Sequence, residues 1–528
     1  MEMSKRKQLG QYYTSPEIAD LMVELITQPK ISKVLEPSFG NGVFIESLIN
    51  RGFDNINGVE LDPKNFQLAK KHTEANLINC DFLSTSKKDK YDVIIGNPPY
   101  VAWKNIAQDT KDLINNIPFW EKYKNGQFDL LYAFIIWSVE KLNTNGELIF
   151  IVPYNWFNST YAKSLRSYMV KQGYFDTICH FGELKLFKDC YPNNIIFKFI
   201  KSKTKNKPIK VFEYSLNKAS IKALPLLINS ELKKLEYDLD YYFDGSEYKS
   251  YQNEQFKNSQ MWYLAPRKDS KLLEKIESSS IFKLSDVTNV AVGYASGLNE
   301  AFIITGEQYS DLSSAEKLLT RKFIKAENCM GYYTKGSSRY IYANNIIDEA
   351  ELQNYKNLYK ILLPHKLALT KRHLAKNKKW WHWATVRNEK LFGANSSQGK
   401  IFVPGIDRSK YSRYSYSNKD YLATSDVITI FKKSDTKEAN LYILAWLNSS
   451  FINSWYRTKG MRTGERIKYT QSYVAQIPFL AIDWSKTEHS NIHNEIVKLT
   501  SQLLNGKKQK NIISRKIDNL YSMLLEDS

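Results

Sequence analysis

The chain has 528 residues, 43% of them hydrophobic and 25% charged, with a formal net charge of +20. This length suits two or three domains, and the composition is that of an ordinary soluble protein. Four cysteines without paired spacing (Cys80, Cys179, Cys190, Cys329) argue against a disulfide framework or a zinc site and for a reducing, cytoplasmic compartment.

The longest apolar stretch, Leu130 to Trp137, is too short to span a bilayer, and the N-terminus lacks the apolar core of a signal peptide. His489 and His493 lie four apart without a third ligand, so they read as part of a solvated helix and no metal is expected. The charge is unevenly placed. Residues 1–200 carry 23 Lys and Arg against 22 Asp and Glu, whereas residues 201–528 carry 52 against 33. A neutral module followed by a strongly basic one suits an enzyme that handles a polyanion.

In chain order, an amphipathic helix over about residues 17–30 leads into a short strand, Val34-Leu35. A turn, Glu36-Pro37-Ser38-Phe39-Gly40-Asn41-Gly42, then opens a second helix. Gly40 and Gly42 allow a ligand close to the backbone, although Gly-x-Gly alone is a weak signal and the third glycine of the dinucleotide fingerprint is missing. Gly58-Val59-Glu60 puts an acid at the end of the next strand, about twenty residues on, where ribose hydroxyls are commonly bound. Asp81-Phe82 follows, an acid that can accept from an exocyclic amine beside a ring that can stack on a purine. Taken singly, Glu60 and Asp81 read equally well as solvated loop acids. Their order ahead of the next motif favours a cofactor site.

That motif is Asn97-Pro98-Pro99-Tyr100, directly after the buried strand Tyr91-Asp92-Val93-Ile94-Ile95-Gly96. The Asn97 side-chain oxygen and the Pro98 carbonyl can each accept one N–H of a planar amine. The prolines stiffen the turn, and the Tyr100 ring offers a stacking face to a base taken out of its helix. The bland alternative is a Pro-rich turn that merely ends a strand. Strands and helices alternate to about residue 200, as in a doubly wound α/β sheet.

These motifs together resemble those of the gamma-class, Taq-type DNA adenine-N6 methyltransferases. Gln8-Leu9-Gly10-Gln11-Tyr12-Tyr13-Thr14-Ser15-Pro16 is similar to the family's N-terminal motif, and its position ahead of the glycine turn marks the gamma order. The resemblance implies S-adenosylmethionine as cofactor, held by Tyr13, Thr14, Glu36, Pro37, Gly40, Gly42, Glu60, Asp81, Phe82 and Asn97. It implies Asn97, Pro98 and Tyr100 as catalytic residues. It also implies a second aromatic on the other face of the flipped adenine. Phe187 is the candidate, with Tyr191 in reserve, in a loop whose polar content departs from the family pattern; an ordinary core position is the alternative for Phe187. Gly126–Tyr132 and Gly146–Pro153 fit the family's later helix and strand. The match is good over roughly the first 200 residues and loose beyond.

The second half interleaves basic and aromatic residues in Lys376–Trp383 and Arg408–Tyr414, and is basic in Arg457–Arg466. Lys and Arg neutralise phosphates, and Arg, Asn and Ser can read base edges. Gly460 and Gly464 would let the third segment approach a nucleic-acid backbone. The Trp cluster reads equally well as a core patch with a basic rim. Gly293–Phe302 resembles a segment that opens the family's recognition domain. The candidate DNA contacts are Ser296, Asn299, Lys379, Arg408, Arg413, Arg457, Arg462 and Arg466.

The expected architecture is a Rossmann-like methyltransferase domain (1–245), a mixed α/β target-recognition domain (246–484) and a C-terminal helical segment (485–528). Lys201–Pro208 is expected to be a hairpin or linker within the first domain. The expected activity is methylation of adenine N6 in double-stranded DNA, protecting it from a companion restriction endonuclease, with no membrane partner. An RNA or protein-glutamine methyltransferase shares the need to hold a planar amine or amide, and a DNA-recognition subunit for a nuclease shares the basic half; intact cofactor motifs argue against the latter. No Cys follows a Pro, which argues against a cytosine-carbon methyltransferase, and the zinc deaminase signature is absent.

Overall fold

The computed structural model describes residues 13–117, 120, 129–182, 184, 186–187, 193–204, 207–214, 232, 234–235, 242–245, 248–257, 260–375, 377–394, 399–463, 466–504 and 510–527. The chain divides into two compact units, Met1–Ser270 and Lys271–Ser528.

The first unit is built on one ten-stranded sheet. Its strands are β1 (Val34–Glu36), β2 (Ile56–Glu60), β3 (Asn76–Asn79), β4 (Tyr91–Gly96), β5 (Leu142–Pro153), β6 (Gly173–His180), β7 (Asn194–Lys201), β8 (Ile209–Tyr214), β9 (Tyr242–Asp244) and β10 (Tyr248–Asn253). They stand in the order β3-β2-β1-β4-β5-β7-β6-β8-β10-β9. The strands from β3 to β5 are parallel, and β7 runs antiparallel between β5 and β6. The order turns back on itself between β1 and β4, which opens a crevice at the carboxyl ends of these strands.

The central strands are continuous apolar runs because helices cover both faces. Alternation divides their side chains between two cores. Val34, Val93, Ile95, Ile149 and Ile151 face one cluster, shared with helix α1 (Pro16–Glu24) and α2 (Val43–Asn50). Leu35, Ile94, Leu148, Phe150 and Val152 face the other, shared with α5 (Leu130–Lys141) and α6 (Lys163–Gln172). Between them in sequence lie α3 (Pro63–Lys70) and α4 (Gln108–Asn115). Pro16 at the first helical position and Glu17 in the first turn start α1. Asp129 starts α5 by accepting from the Leu131 amide at 3.0 Å.

Three sequence expectations change here. The first helix ends at Glu24, not near residue 30, because the chain beyond it caps a buried ion pair: the Lys198 ammonium donates to the Leu25 carbonyl at 2.9 Å, and the Thr27 amide donates to Glu147 at 3.1 Å. The connection Lys201–Pro208, expected as a hairpin or a linker within the first domain, is narrowed to a linker, since β6 lies between β7 and β8. The first unit runs to residue 270, beyond the expected 245: β10 pairs with β8 along its full length, and after it Trp262 packs into the first unit's core with its amide donating to the Phe157 carbonyl at 2.8 Å.

The second unit carries a five-stranded sheet (Thr288–Val292, Val427–Lys432, Lys400–Pro404, Ser415–Ser417, Tyr332–Tyr333) and a four-stranded one (Ile303–Ile304, Ser338–Ile341, Thr320–Ile324, Leu422–Ala423). A three-stranded ribbon joins Ile406–Asp407, Arg466–Lys468 and Met461–Thr463. The C-terminal helices Thr487–Leu503 and Lys510–Glu526 pack on one another and within this unit, so they form no separate module. Correspondingly, His489 and His493 are buried, not solvated. His489 meets Asp527 at 2.9 Å, and His493 accepts the Ala439 amide at 3.1 Å. Among the described residues no helix is long and apolar enough to cross a membrane.

Candidate functional site

The carboxyl ends of β1, β2 and β4 gather most of the proposed cofactor and catalytic residues. Asn97 leaves β4 half-buried. Its Nδ2 donates to Thr14 Oγ1 at 3.1 Å, and its backbone carbonyl accepts from Ser38 at 3.3 Å. The turn after β4 is thereby tied to the segment ahead of α1 and to the turn after β1. The Tyr100 hydroxyl lies between Asn97 Oδ1 and the Ile151 carbonyl, 2.7 Å from the latter, and can donate its one proton to either. An amide oxygen has two acceptor lone pairs, so a hydroxyl and an amine can share it. Asp129 accepts the Val101 amide at 3.0 Å while capping α5, so one carboxylate fixes the exit of the Asn-Pro-Pro-Tyr turn and the start of a buried helix. Burial raises the Asp129 pKa, against these two backbone donors.

The glycine turn behaves as a cradle. Gly40 and Gly42 have φ of +53° and +83°, the left-handed region that favours glycine, and the Tyr13 ring lies 3.7 Å from where a Gly40 Cβ would stand. Glu60 holds the turn by accepting the Gly40 amide at 2.8 Å and the Asp62 amide at 2.7 Å. Desolvation raises its pKa in spite of these bonds. Asp81 caps the short helical turn Phe82–Ser84 through the Leu83 amide at 2.9 Å, with Thr110 at 3.4 Å on its other oxygen. Burial raises its pKa too.

Glu36 is the exception among these acids. It is buried, its Oε2 has no hydrogen-bond partner, and desolvation, with Glu60 nearby, pushes its pKa well above the usual 4.5. The Ser15 hydroxyl is also buried without a partner. Such orphaned atoms cost the fold free energy, and a ligand bearing positive charge or N–H donors satisfies them.

Two proposed stacking rings are packed away. Phe82 is buried against Phe134, centroids 5.1 Å apart, so its ring presents no open face to a purine. Phe187 is 5% exposed and sits in the apolar cluster that holds Phe181 and Tyr214, the core position that was its alternative. Tyr191, Gly126–Phe128 and Gln8–Tyr12 lie outside the described residues.

In the second unit the eight proposed DNA contacts separate into two groups. Asn299, Lys379, Arg408 and Arg462 are exposed. Ser296 is buried and its hydroxyl donates to Asn299 at 2.5 Å, an internal turn contact. Arg413 turns inward onto Asp407 at 2.9 Å and the Cys329 carbonyl at 3.0 Å. Arg457 bonds Asn453 at 3.3 Å and the Ser409 carbonyl. Arg466 is half-buried with its Nε unpartnered. Trp380, Trp381 and Trp383 are core residues; Trp383 stacks on Phe323 with centroids 4.5 Å apart. Gly460 is buried against Tyr456, so its missing side chain serves the end of a helix and not approach to nucleic acid. Lys376 and Gly464 lie outside the described residues.

Sequence reasoning missed Asp129 and Ser38 as positioning residues. An acid just before an apolar helical run was a legible cap, but its bond across to Val101 was not.

Comparison with known proteins fits this arrangement. The family described as Eco57I restriction-modification methylase matches residues 29–187, and the TaqI-like C-terminal specificity domain matches residues 354–479. The chain is 32% identical to the type II methyltransferase M.HindII and 32% identical to the type II methyltransferase M.HincII, both from Haemophilus influenzae, with 96% of each chain covered in both cases. The type IIL restriction-modification enzyme MmeI, solved in complex with DNA, shares the fold with a TM-score of 0.61 at 14% identity, over 100% of this chain and 78% of that one. Matched along nearly its whole length by such relatives, and holding the glycine cradle and the Asn-Pro-Pro-Tyr turn side by side, the chain belongs to the type II methyltransferases of restriction-modification systems.

Proposed function

We propose that this protein methylates the exocyclic N6 amine of an adenine flipped out of double-stranded DNA, with S-adenosylmethionine as methyl donor. Such methylation would shield the site from a companion restriction endonuclease. The observation that carries this reading is Asn97, fixed by Thr14 and Tyr100 at the crevice between β1 and β4 with its amide oxygen at the strand end. The cofactor, when bound, supplies an electrophilic sulfonium methyl. The residues present fit it: Gly40 and Gly42 leave room, and Glu36 and Ser15 offer unpaired polar atoms.

The amine is a poor nucleophile because its lone pair is delocalised into the ring. Asn97 Oδ1 and the Pro98 carbonyl accept its two N–H groups, favour a tetrahedral nitrogen and orient the lone pair. The same acceptors stabilise positive charge as it develops on the nitrogen. Tyr100 contributes a stacking surface that offsets part of the cost of flipping. The test is modification-sensitive sequencing of DNA from a methylation-deficient host expressing the chain beside an Asn97→Ala control. N6-methyladenine confined to one short motif and absent from the control supports the reading. Unmodified DNA from a folded, cofactor-binding protein sinks it.

Glu36 gives this site a pH signature. Its folded pKa is raised, so its contribution to stability is fully present below about 4.5 and is lost as pH rises through the higher folded value. A cationic cofactor favours the carboxylate, so binding should release a proton and tighten as pH rises through that window. Calorimetry in two buffers of different ionisation enthalpy reads the proton directly. Glu36→Gln should abolish the release, and an unchanged release in that variant would remove Glu36 from the site.

The basic unit supplies the DNA side. Residues 271–528 carry 39 Lys and Arg against 24 Asp and Glu. Arg408 directly follows a strand of the three-stranded ribbon and Arg462 lies on another, both exposed, where their guanidinium groups can reach phosphates or base edges. Arg408→Ala and Arg462→Ala should each flatten the log–log salt dependence of DNA affinity by about 0.9 without changing thermal stability. Arg413→Ala should instead lower the melting temperature, because it strips the partner from Asp407, which is 4% exposed. An equal loss of stability in all three variants would refute the division.

A further inference from the structure

Asn193 and Asn194 are consecutive, yet only one is satisfied. The Asn193 side chain meets His180 at 2.7 Å, and its carbonyl accepts the Tyr154 amide at 2.6 Å. Asn194 is 0% exposed, and neither its Nδ2 nor its Oδ1 has a hydrogen-bond partner. Its backbone is occupied, since it pairs with Pro153 in the sheet and its carbonyl accepts the Phe181 amide at 3.0 Å. A buried amide with both ends unpaired is rare in native proteins and costs stability, so it calls for a ligand or a functional reason.

Its place in the sheet says which ligand. Asn194 opens β7, and only β5 separates β7 from β4. Its partner Pro153 and the turn after β4 stand at the same end of β5, because Gly96 pairs with Phe150 and the Tyr100 hydroxyl reaches the Ile151 carbonyl. Ile196, two residues on, faces the cluster that also holds α1, so period-two alternation puts the Asn194 side chain on that same face. Thr14, the partner of Asn97, leads into α1. Two strand spacings are about 10 Å, a span that two asparagine side chains fill with an amine and its adjacent ring nitrogen between them. Glu36 and Glu60, on β1 and β2, lie on the opposite side of Asn97. Asn194 therefore stands across Asn97 from Glu36 and Glu60, on the side of the crevice left for the substrate base.

We propose that Asn194 recognises N1 of the flipped adenine, donating an Nδ2–H to it while Asn97 and Pro98 hold the N6 amine. This rests on the adenine-N6 reading above and adds a residue that discriminates the base. Guanine carries a hydrogen on N1 and would set donor against donor. A flipped base is read along its Watson–Crick edge in this way.

The experiment uses duplexes containing the methylated motif, with the target adenine replaced by 1-deazaadenine or 7-deazaadenine, and the full-length chain. For the wild-type protein, 1-deazaadenine should lower kcat/KM about tenfold, equivalent to about 1.4 kcal/mol, relative to adenine. Asn194→Leu should lose about the same factor on adenine and show no further loss on 1-deazaadenine. Its melting temperature should be unchanged or higher, because an unpaired amide has been replaced by an apolar group of similar size. A purely structural Asn194 would predict the reverse, a lower melting temperature and an undiminished response to the deaza base. The proposal is overturned if the wild-type protein is indifferent to 1-deazaadenine, or if Asn194→Leu keeps the wild-type penalty. It is equally overturned if only 7-deazaadenine responds to the substitution. The wild-type measurement stands even where the variant does not fold. Absence of N6-methyladenine from any wild-type reaction would sink the proposed function itself, a distinguishable failure.

Discussion

Asn97→Ala should reduce kcat by about a thousandfold, the scale seen when a preorganised group that stabilises developing charge is removed. The truncation deletes the side-chain acceptor proposed for the amine and leaves the Pro98 carbonyl as the other. Cofactor affinity should change little, because Gly40, Glu36 and Glu60 lie on or after other strands and Glu60 holds the glycine turn by its own two backbone bonds. Single-turnover methylation with equilibrium cofactor binding on the same variant separates the two effects. Loss of cofactor binding alongside activity would mean that Asn97 mainly anchors Thr14 and the segment ahead of α1. In that case the amine-holding role would have to be abandoned.

Lys198→Met should destabilise the first unit by about 3–5 kcal/mol, the cost of leaving a buried charge without its partner. The Lys198 ammonium meets Glu147 at 3.0 Å with side-chain exposures of 3% and 2%. The same ammonium donates to the Leu25 carbonyl and the Thr27 hydroxyl, each at 2.9 Å, while Thr27 donates to Glu147 through both its amide and its hydroxyl. Four polar groups thus close on one another inside an apolar sheet, and removing one strands the rest. The double variant Lys198→Met/Glu147→Leu should recover most of the loss, because a hydrophobic pair needs no desolvation compensation. Thermal unfolding of the three proteins reads this directly. A double variant no more stable than the single one would show that Glu147 is not the stranded charge. The cluster fastens the end of α1 to β5 and β7, so partial activity loss in the single variant should track its stability.

Part of the site was legible because it is local in sequence. The glycine turn, the acid closing β2 and the Asn-Pro-Pro-Tyr turn each sit at a strand end that hydrophobic pattern alone marks. Charge asymmetry likewise marked the second half as the basic one. The side chains that were misread depended on packing. Nothing local distinguishes Arg413, folded onto Asp407, from the exposed Arg408. The path of the chain after the ribbon strand Ile406–Asp407 brings Arg413 back beside the carboxylate and leaves Arg408 in solvent.

The aromatic residues teach the same point. Trp380, Trp381 and Trp383 follow a basic run, and composition could not say whether they faced nucleic acid or a core; Phe323 and Tyr340 from distant strands settled it for Trp383. Phe82 and Phe187 carried a family role in sequence and a packed ring in the fold. The first unit extends past the expected boundary because the β10–β8 ladder and the docking of Trp262 against Phe157 are long-range contacts, invisible in the polar, Tyr-rich composition of that stretch.

The class of this protein was readable from the chain alone, since backbone-level motifs at strand ends and hydrophobic alternation are encoded by residues close together in sequence. Which polar side chains are satisfied was settled by the fold: Glu36 Oε2 and the Asn194 amide are left without partners, whereas Asn193 and Glu60 are engaged. Hydrogen-bond satisfaction is a property of neighbours brought together from distant parts of the chain, and no window of sequence contains them.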